Sequence, residues 1–95
     1  MPIAQAIRTQ HLLTFSYDGF MRTVEPHTYG IDRKGHRALR AYQVRGGSES
    51  GERVGWKIFH EREMRGLEVL LEPFPGPRAG YKREDQMFAR IDAQL

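Results

Sequence analysis

A chain of 95 residues and 11.0 kDa has room for one domain but not for two independent hydrophobic cores. Its composition, 39% hydrophobic and 28% charged with no cysteine, excludes a disordered chain, a disulfide framework and a thiolate metal site. The net charge of +3 is uneven, because residues 1–60 carry +4 and residues 61–95 carry −1, so the first two thirds favour a phosphate-bearing partner.

The N-terminal third predicts a helix followed by a hairpin. Proline opens the segment 2–10, whose two isoleucines fall on one helical face. The next segment, LLTFSYDG, alternates apolar and polar residues before Asp18-Gly19, a pair that supplies the positive φ angles of a tight turn. We expect the return strand to cover residues 20–25 and to end at Pro26 or hold it at an edge, because proline cannot donate to a ladder. A brief continuation should precede the loop DRKG.

The segment GHRALRAYQVRGG, residues 35–47, is ambiguous by periodicity. Ala38, Leu39 and Tyr42 fit a helical face, whereas Leu39 and Ala41 against Tyr42 and Val44 fit a strand buried on both sides. The segment GGSESGERVG predicts a flexible polar loop. WKIFH and LEVLLE then predict two further strands.

The C-terminal part predicts a surface crossing and a helix. EPFPGPRAGY holds three of the five prolines and is expected to be extended. REDQMFARIDAQL spaces Met87, Ile91 and Leu95 four residues apart, which is typical of an amphipathic helix. Five short β-elements between two helices predict one mainly β domain over residues 1–95, built as a strongly bent sheet or a barrel. The barrel region would span 3–74, and the crossing and C-terminal helix 75–95.

The pieces AI, LTFSYDG, RTVEPHTYG, LRAYQ and LEVL, in this order over residues 3–74, resemble the WYL domain of bacterial transcriptional regulators and defence-associated proteins. The resemblance implies a small five-stranded Sm-like β-barrel, a central strand at 36–45, and the sensing of a nucleotide or nucleic-acid ligand. The best-matched positions are Tyr17, Arg22, Val24, Pro26, Leu39, Ala41 and Tyr42.

The chain also departs from that family. The eponymous Trp-Tyr-Leu is replaced by Arg37-Ala38-Leu39, and the family's arginine-rich strand corresponds to GWKIFHEREM. Because only about ten residues precede the barrel region, the resemblance implies a divergent, stand-alone member without the N-terminal helix-turn-helix.

Three arginines crowd the segment 36–45. On a strand, Arg37 and Arg45 share one face, and Arg40 shares the other with Tyr42. Burying an unpaired guanidinium costs several kcal/mol, so at least two must reach solvent, an acid or a ligand. Two interpretations remain: an anion-binding site, or a solvated face paired with glutamates such as Glu25 or Glu68.

The leading hypothesis is a non-enzymatic binding module for a nucleotide or single-stranded nucleic acid, in which cations neutralise phosphate and flat rings stack on a base. His27 is expected at a strand end, facing a cleft and changing charge near neutral pH. The alternatives are a salt bridge from Arg22 to an acid such as Glu25, a capping role for His27, and a core plug for Trp56. The candidate ligand-binding residues are Arg22, Arg37, Arg40, Lys57, Tyr17, Tyr42, Trp56 and His27.

No cofactor, metal site or catalytic residue is predicted. HEREM at 60–64 has methionine where the zinc-protease motif has its second histidine. The remaining histidines, His11 and His36, show no ligand spacing with His27 or His60. A small nuclease using His27, His36 or His60 with an arginine is a minor alternative.

The second functional hypothesis is a protein-interaction or oligomerisation module, which would use the C-terminal helix to form a homodimer or bind a protein partner. No apolar run approaches the ~20 residues that span a bilayer, and the N-terminus lacks a secretory pattern. We therefore expect a cytoplasmic protein without a membrane partner.

Overall fold

The computed structural model describes residues 2–95, and within that range the chain forms one short α-helix and a single sheet of six antiparallel strands. A short 3₁₀ turn, Glu61–Glu63, joins the fourth strand to the fifth. The elements are α1 Pro2–Thr9, β1 His11–Tyr17, β2 Phe20–Asp32, β3 Arg37–Gly46, β4 Gly55–His60, β5 Arg65–Pro73 and β6 Phe88–Gln94.

The sheet is open. Its strand order is β4-β3-β2-β1-β5, and β6 pairs with the second half of β2. Between the outer strands β4 and β5 no ladder forms in the described chain, so each keeps one unpaired edge. A mainly β domain is confirmed, but the five-stranded closed barrel is wrong in both strand number and closure. None of the helices formed by residues 2–95 is long and apolar enough to cross a membrane.

Helix α1 forms where the sequence predicts a helix, and it covers one face of the sheet. Its residues Ile3, Ala4, Ala6 and Ile7 are buried. They pack into a core cluster with strand residues that include Leu13, Phe15, Val24, Leu39 and Phe59. Burial of this apolar face stabilises so short a helix, because eight residues are too few for helical propensity alone.

The β1–β2 hairpin is also confirmed. Tyr17 and Phe20 are the last paired residues, so Asp18 and Gly19 alone form the turn. Their φ angles of 52° and 81° are both positive, as a two-residue turn with the twist of the flanking strands requires.

Strand β2 does not end before Pro26, contrary to the prediction. It continues to Asp32 through a β-bulge at which Pro26 opposes Ala41 and Thr28 opposes Arg40. His27 is the extra residue of the bulge. Proline removes one ladder donor in any register, and a bulge interrupts the ladder at that point, so a central strand can accommodate it.

Segment 35–47 resolves as the strand β3, and WKIFH and LEVLLE lie within β4 and β5, as predicted. The predicted C-terminal helix is wrong, since residues 88–94 form the strand β6. A spacing of four residues fits a helical face, but it also places Met87, Ile91 and Leu95 on one side of an extended chain. The free edge of β2 decides between the two readings, because it offers backbone partners to β6. At Gly30 the backbone of Arg90 comes so close that a Cβ atom would overlap its carbonyl.

Candidate functional site

The face of the sheet opposite α1 carries the aromatic residues of a cleft. On β3, Leu39, Ala41 and Gln43 point into the core, whereas Arg40 and Tyr42 lie half-buried on the other face. Tyr42 is paired in register with Trp56 of β4, and their rings meet edge to face with centroids 5.6 Å apart. Strand pairing therefore brings together three residues that the sequence analysis selected: Arg40, Tyr42 and Trp56.

The irregular segment 74–87 crosses this face and completes the cleft. Trp56 donates from Nε1 to the carbonyl oxygen of Ala79 at 3.1 Å, and the Tyr81 hydroxyl donates to the carbonyl oxygen of Leu95 at 2.8 Å. These two bonds fix the positions of both rings. The cleft has a volume of about 210 Å³ and is lined by Arg40, Trp56, Gly80, Tyr81, Lys82 and Asp85.

The charges in the cleft are of both signs. Arg40 donates from Nε to an Asp85 carboxylate oxygen at 3.0 Å, so most of its positive charge is compensated. Lys82 is exposed and has no ion-pair partner among residues 2–95. The uncompensated cation at this cleft is thus Lys82. Sequence reasoning missed it, although the run RAGYKR held a signal in its cations around a tyrosine.

His27 lies behind the cleft and not in it. The residue is fully buried among aromatic rings, with its centroid 4.7 Å from that of Trp56 and 5.3 Å from that of Tyr81. Its Nδ1 lies 2.8 Å from the carbonyl oxygen of Glu25, and its Nε2 accepts from the backbone N–H of Arg78 at 3.1 Å. These two bonds define a neutral ring that carries its proton on Nδ1. The predicted strand-end position of His27 is wrong, because β2 continues past this residue to Asp32.

Burial lowers the pKa of His27, because the charged ring would lose its hydration. The unfolded chain then binds a proton at His27 more readily than the folded chain does. The contribution of His27 to the free energy of unfolding is therefore complete above about pH 6.5 and declines at lower pH. We expect the urea midpoint to fall less between pH 7.5 and pH 5 in His27→Gln than in the wild type. A His11→Gln control should keep the wild-type difference, and equal losses in wild type and His27→Gln would contradict this role.

An ion pair anchors the crossing segment beside the cleft. Arg78 donates from Nε and Nη2 to the two carboxylate oxygens of buried Glu25, at 2.7 and 3.1 Å. The same guanidinium lies 4.5 Å from the centroid of the Tyr42 ring. One face of Tyr42 is thus covered by Arg78, which leaves Trp56 and Tyr81 as the rings that line the cleft.

Arg22 lies in the core on the helix side of the sheet. It is 3% exposed and donates to the side-chain oxygen of Gln43 at 3.3 Å and to the carbonyl oxygen of Tyr17 at 3.1 Å. Its guanidinium also lies 5.6 Å from the centroids of the Tyr17 and Phe59 rings. The predicted alternative of a salt bridge to Glu25 is wrong, because that carboxylate is bound by Arg78.

The other cations of β3 and β4 lie apart from the cleft. Arg37 pairs with Asp92 at 3.0 Å, and this pairing raises the pKa of the Arg37 guanidinium. Arg45 pairs with Glu72 at 2.9 Å. Lys57 lies opposite Ala41 and donates to the Ser48 hydroxyl at 3.3 Å. The arginines of β3 therefore each have a carboxylate partner, but the partners are Asp92, Asp85 and Glu72 in place of Glu25 or Glu68.

Tyr17, which was selected as a stacking ring, lies near the 3₁₀ turn. Its hydroxyl accepts from the backbone N–H of His60 at 3.0 Å and lies 3.5 Å from a carboxylate oxygen of Glu63. Burial raises the pKa of Tyr17, although the bond from His60 acts in the opposite direction. Of the eight selected residues, only Arg40 and Trp56 line the cleft, with Tyr42 and His27 packed against it.

The fold and the cleft define a small, open-sheet β domain with one aromatic cleft of mixed charge. Comparison of the chain with protein-family models, curated proteins and solved structures finds no match.

Proposed function

We propose that the chain is a non-enzymatic binding module that holds a nucleotide, or one base of a single strand, in the cleft formed by Trp56, Tyr81 and Lys82. The proposal rests on one observation: two fixed aromatic rings and an uncompensated lysine surround the same small cleft. Stacking on a flat ring accepts any base, and a nearby cation attracts its phosphate. The motif resemblance to the WYL domain supports a regulatory, ligand-sensing role of this kind.

The size of the cleft restricts the ligand. At about 210 Å³ it is smaller than the ~300–1,000 Å³ of pockets that enclose a drug-sized molecule. One base with its phosphate at the rim is therefore a better fit than a large cofactor. Because Arg40 is bound to Asp85, the phosphate would be attracted mainly by Lys82.

Trp56 is the only tryptophan of the chain, so its fluorescence reports directly on this cleft. We expect short single-stranded DNA or RNA to quench it at low salt and to bind more weakly as salt rises, because phosphate contacts release counterions. Lys82→Ala should weaken binding and reduce the slope of log affinity against log salt by about 1. Tryptophan fluorescence measures the quenching. Fluorescence anisotropy with labelled oligonucleotides measures the affinity and its dependence on salt in the wild type and in Lys82→Ala.

Lys34→Ala is the matched control, since Lys34 is an exposed lysine outside the cleft. It should leave both affinity and salt slope unchanged. Absence of binding at low salt, or equal losses in the two lysine variants, would overturn the proposal.

The oligomerisation alternative loses the C-terminal helix on which it was based. A separate observation favours an interaction role: the edge strand β5 exposes Leu71 by 95% and Val69 by 39%. Exposed apolar edge strands pair readily with other chains. Light scattering on the protein used for the titrations tests this alternative, because oligomerisation requires a dimer or a larger assembly.

A further inference from the structure

A second group of side chains converges at the end of the sheet where β2 turns into β3 and β4 ends. Asp32 is the last residue of β2, His36 immediately precedes β3, and His60 closes β4. One oxygen or nitrogen from each lies within 4.8 Å of the other two. These residues do not line the aromatic cleft.

The Asp32 carboxylate is oriented by its own turn. Its Oδ1 accepts the backbone N–H groups of Lys34 at 2.9 Å and of His36 at 2.8 Å. Its Oδ2 is left facing the two imidazoles, 3.4 Å from His36 Nδ1 and 3.9 Å from His60 Nε2. The backbone therefore holds the carboxylate in place, and one oxygen remains available as a ligand.

Both imidazoles face this oxygen of Asp32. His36 Nδ1 is buried and makes no hydrogen bond within the described chain. The rings of His36 and His60 lie 4.8 Å apart at centroid, tilted by 34°. This arrangement directs a nitrogen of each ring towards the free oxygen of Asp32.

The outer nitrogen of His60 faces a carboxylate. His60 Nδ1 lies 3.5 Å from Glu63 Oε2, and the Tyr17 hydroxyl contacts the same carboxylate oxygen. A metal-binding histidine commonly donates its second ring N–H to a carboxylate, which fixes the tautomer that leaves the other nitrogen free. His60 therefore has the surroundings of a ligand that binds through Nε2.

We propose that Asp32 Oδ2, His36 Nδ1 and His60 Nε2 bind a divalent first-row metal ion, with Zn²⁺ as the best match. Two imidazoles and a carboxylate are a common zinc ligand set, and a three-ligand site leaves a coordination position for water or substrate. Ligand atoms around tetrahedral zinc lie about 3.3–3.5 Å apart. The 3.4 Å separation meets this already, and small side-chain rotations bring in His60.

The neighbouring charges allow a cation. Arg37 at the rim is paired with Asp92, and Glu61 and Glu63 add two carboxylates on the 3₁₀ turn. The site opens to solvent through a hollow of about 360 Å³, which Gly35 and Arg62 also line. The site departs from the sequence prediction of no metal, because residues separated by 24 positions of chain meet only through β3–β4 pairing.

The test is a calorimetric titration of the tag-free, chelator-treated chain with Zn²⁺. We expect one ion per chain, loss of that binding in His36→Ala and in His60→Ala, and unchanged binding in His11→Ala. Glu63→Gln should weaken affinity by about 10–100-fold, as replacement of a supporting carboxylate does. Co²⁺ should give the visible absorption of a four-coordinate ion in the wild type and in His11→Ala, and should not give it in His36→Ala or His60→Ala.

Circular dichroism establishes that each variant is folded before its titration. If the wild type binds no Zn²⁺, or if His36→Ala and His60→Ala bind it as the wild type does, the cluster is an Asp–His contact only and the proposal fails. Because no ligand residue lies in the aromatic cleft, oligonucleotide binding should be the same with and without chelator.

Discussion

Replacing Phe59 by alanine is expected to lower the free energy of unfolding by about 3–5 kcal/mol, the usual cost of removing a buried phenyl ring. Phe59 is 1% exposed and packs edge to face on Phe15 and Tyr17, with centroids 4.9 and 5.0 Å away. Its ring also lies 5.6 Å from the guanidinium of buried Arg22. The substitution therefore leaves a cavity and also removes a favourable neighbour of a buried cation.

The loss is large for a chain of this length. Domain stabilities of about 0.05–0.15 kcal/mol per residue put the whole fold near 5–14 kcal/mol. Urea denaturation followed by circular dichroism measures the change. Ile58→Ala is the matched control on the same strand, because Ile58 is 43% exposed and should cost much less. Equal losses of unfolding free energy in the two variants would show that Phe59 contributes no more to the core than the exposed Ile58 does.

Arg78→Ala is expected to destabilise the fold by about 2–4 kcal/mol, because it leaves the buried carboxylate of Glu25 without its cation. The half-exposed position of Arg78 places the expected cost below that of a fully buried pair. The same change removes the cover of the Tyr42 ring and one anchor of segment 74–87. We therefore also expect the fluorescence of Trp56 to shift to the red as that segment loosens.

A double-mutant cycle isolates this interaction. Glu25→Gln removes the buried charge, so Arg78→Ala should cost clearly less in that background than in the wild type. Arg83→Ala is the surface control, since its pair with Glu84 is 66% and 70% exposed and should contribute about 0–1 kcal/mol. Additive costs for Glu25→Gln and Arg78→Ala would contradict a buried coupled pair.

The arginine hypothesis shows where residue pattern stops being informative. Pattern indicated that guanidinium groups on a small sheet need partners, and each arginine of β3 does have one. It did not indicate which acids supply those partners, because two of them, Asp85 and Asp92, lie in a segment that was expected to be a helix. Tyr81 and Lys82 were missed for another reason: a surface crossing was expected at this part of the chain, but pattern does not indicate that it passes over Trp56.

By itself, the sequence determined the elements whose signals are local. Helix α1 follows from its isoleucine spacing, the β1–β2 hairpin from Asp18-Gly19, and β4 and β5 from short apolar runs between turn residues. In each case neighbouring residues set the backbone angles and the buried face, so a window of a few residues was enough.

Only the tertiary structure decided the C-terminal strand, the passage of β2 through Pro26, and the two candidate sites. A spacing of four residues fits both helix and strand, and the free edge of β2 supplied the hydrogen bonds that selected strand. The Asp32–His36–His60 cluster and the Trp56–Tyr81–Lys82 cleft join residues far apart in the chain. Such proximity depends on strand order and register, which arise from burial and backbone pairing across the whole sheet.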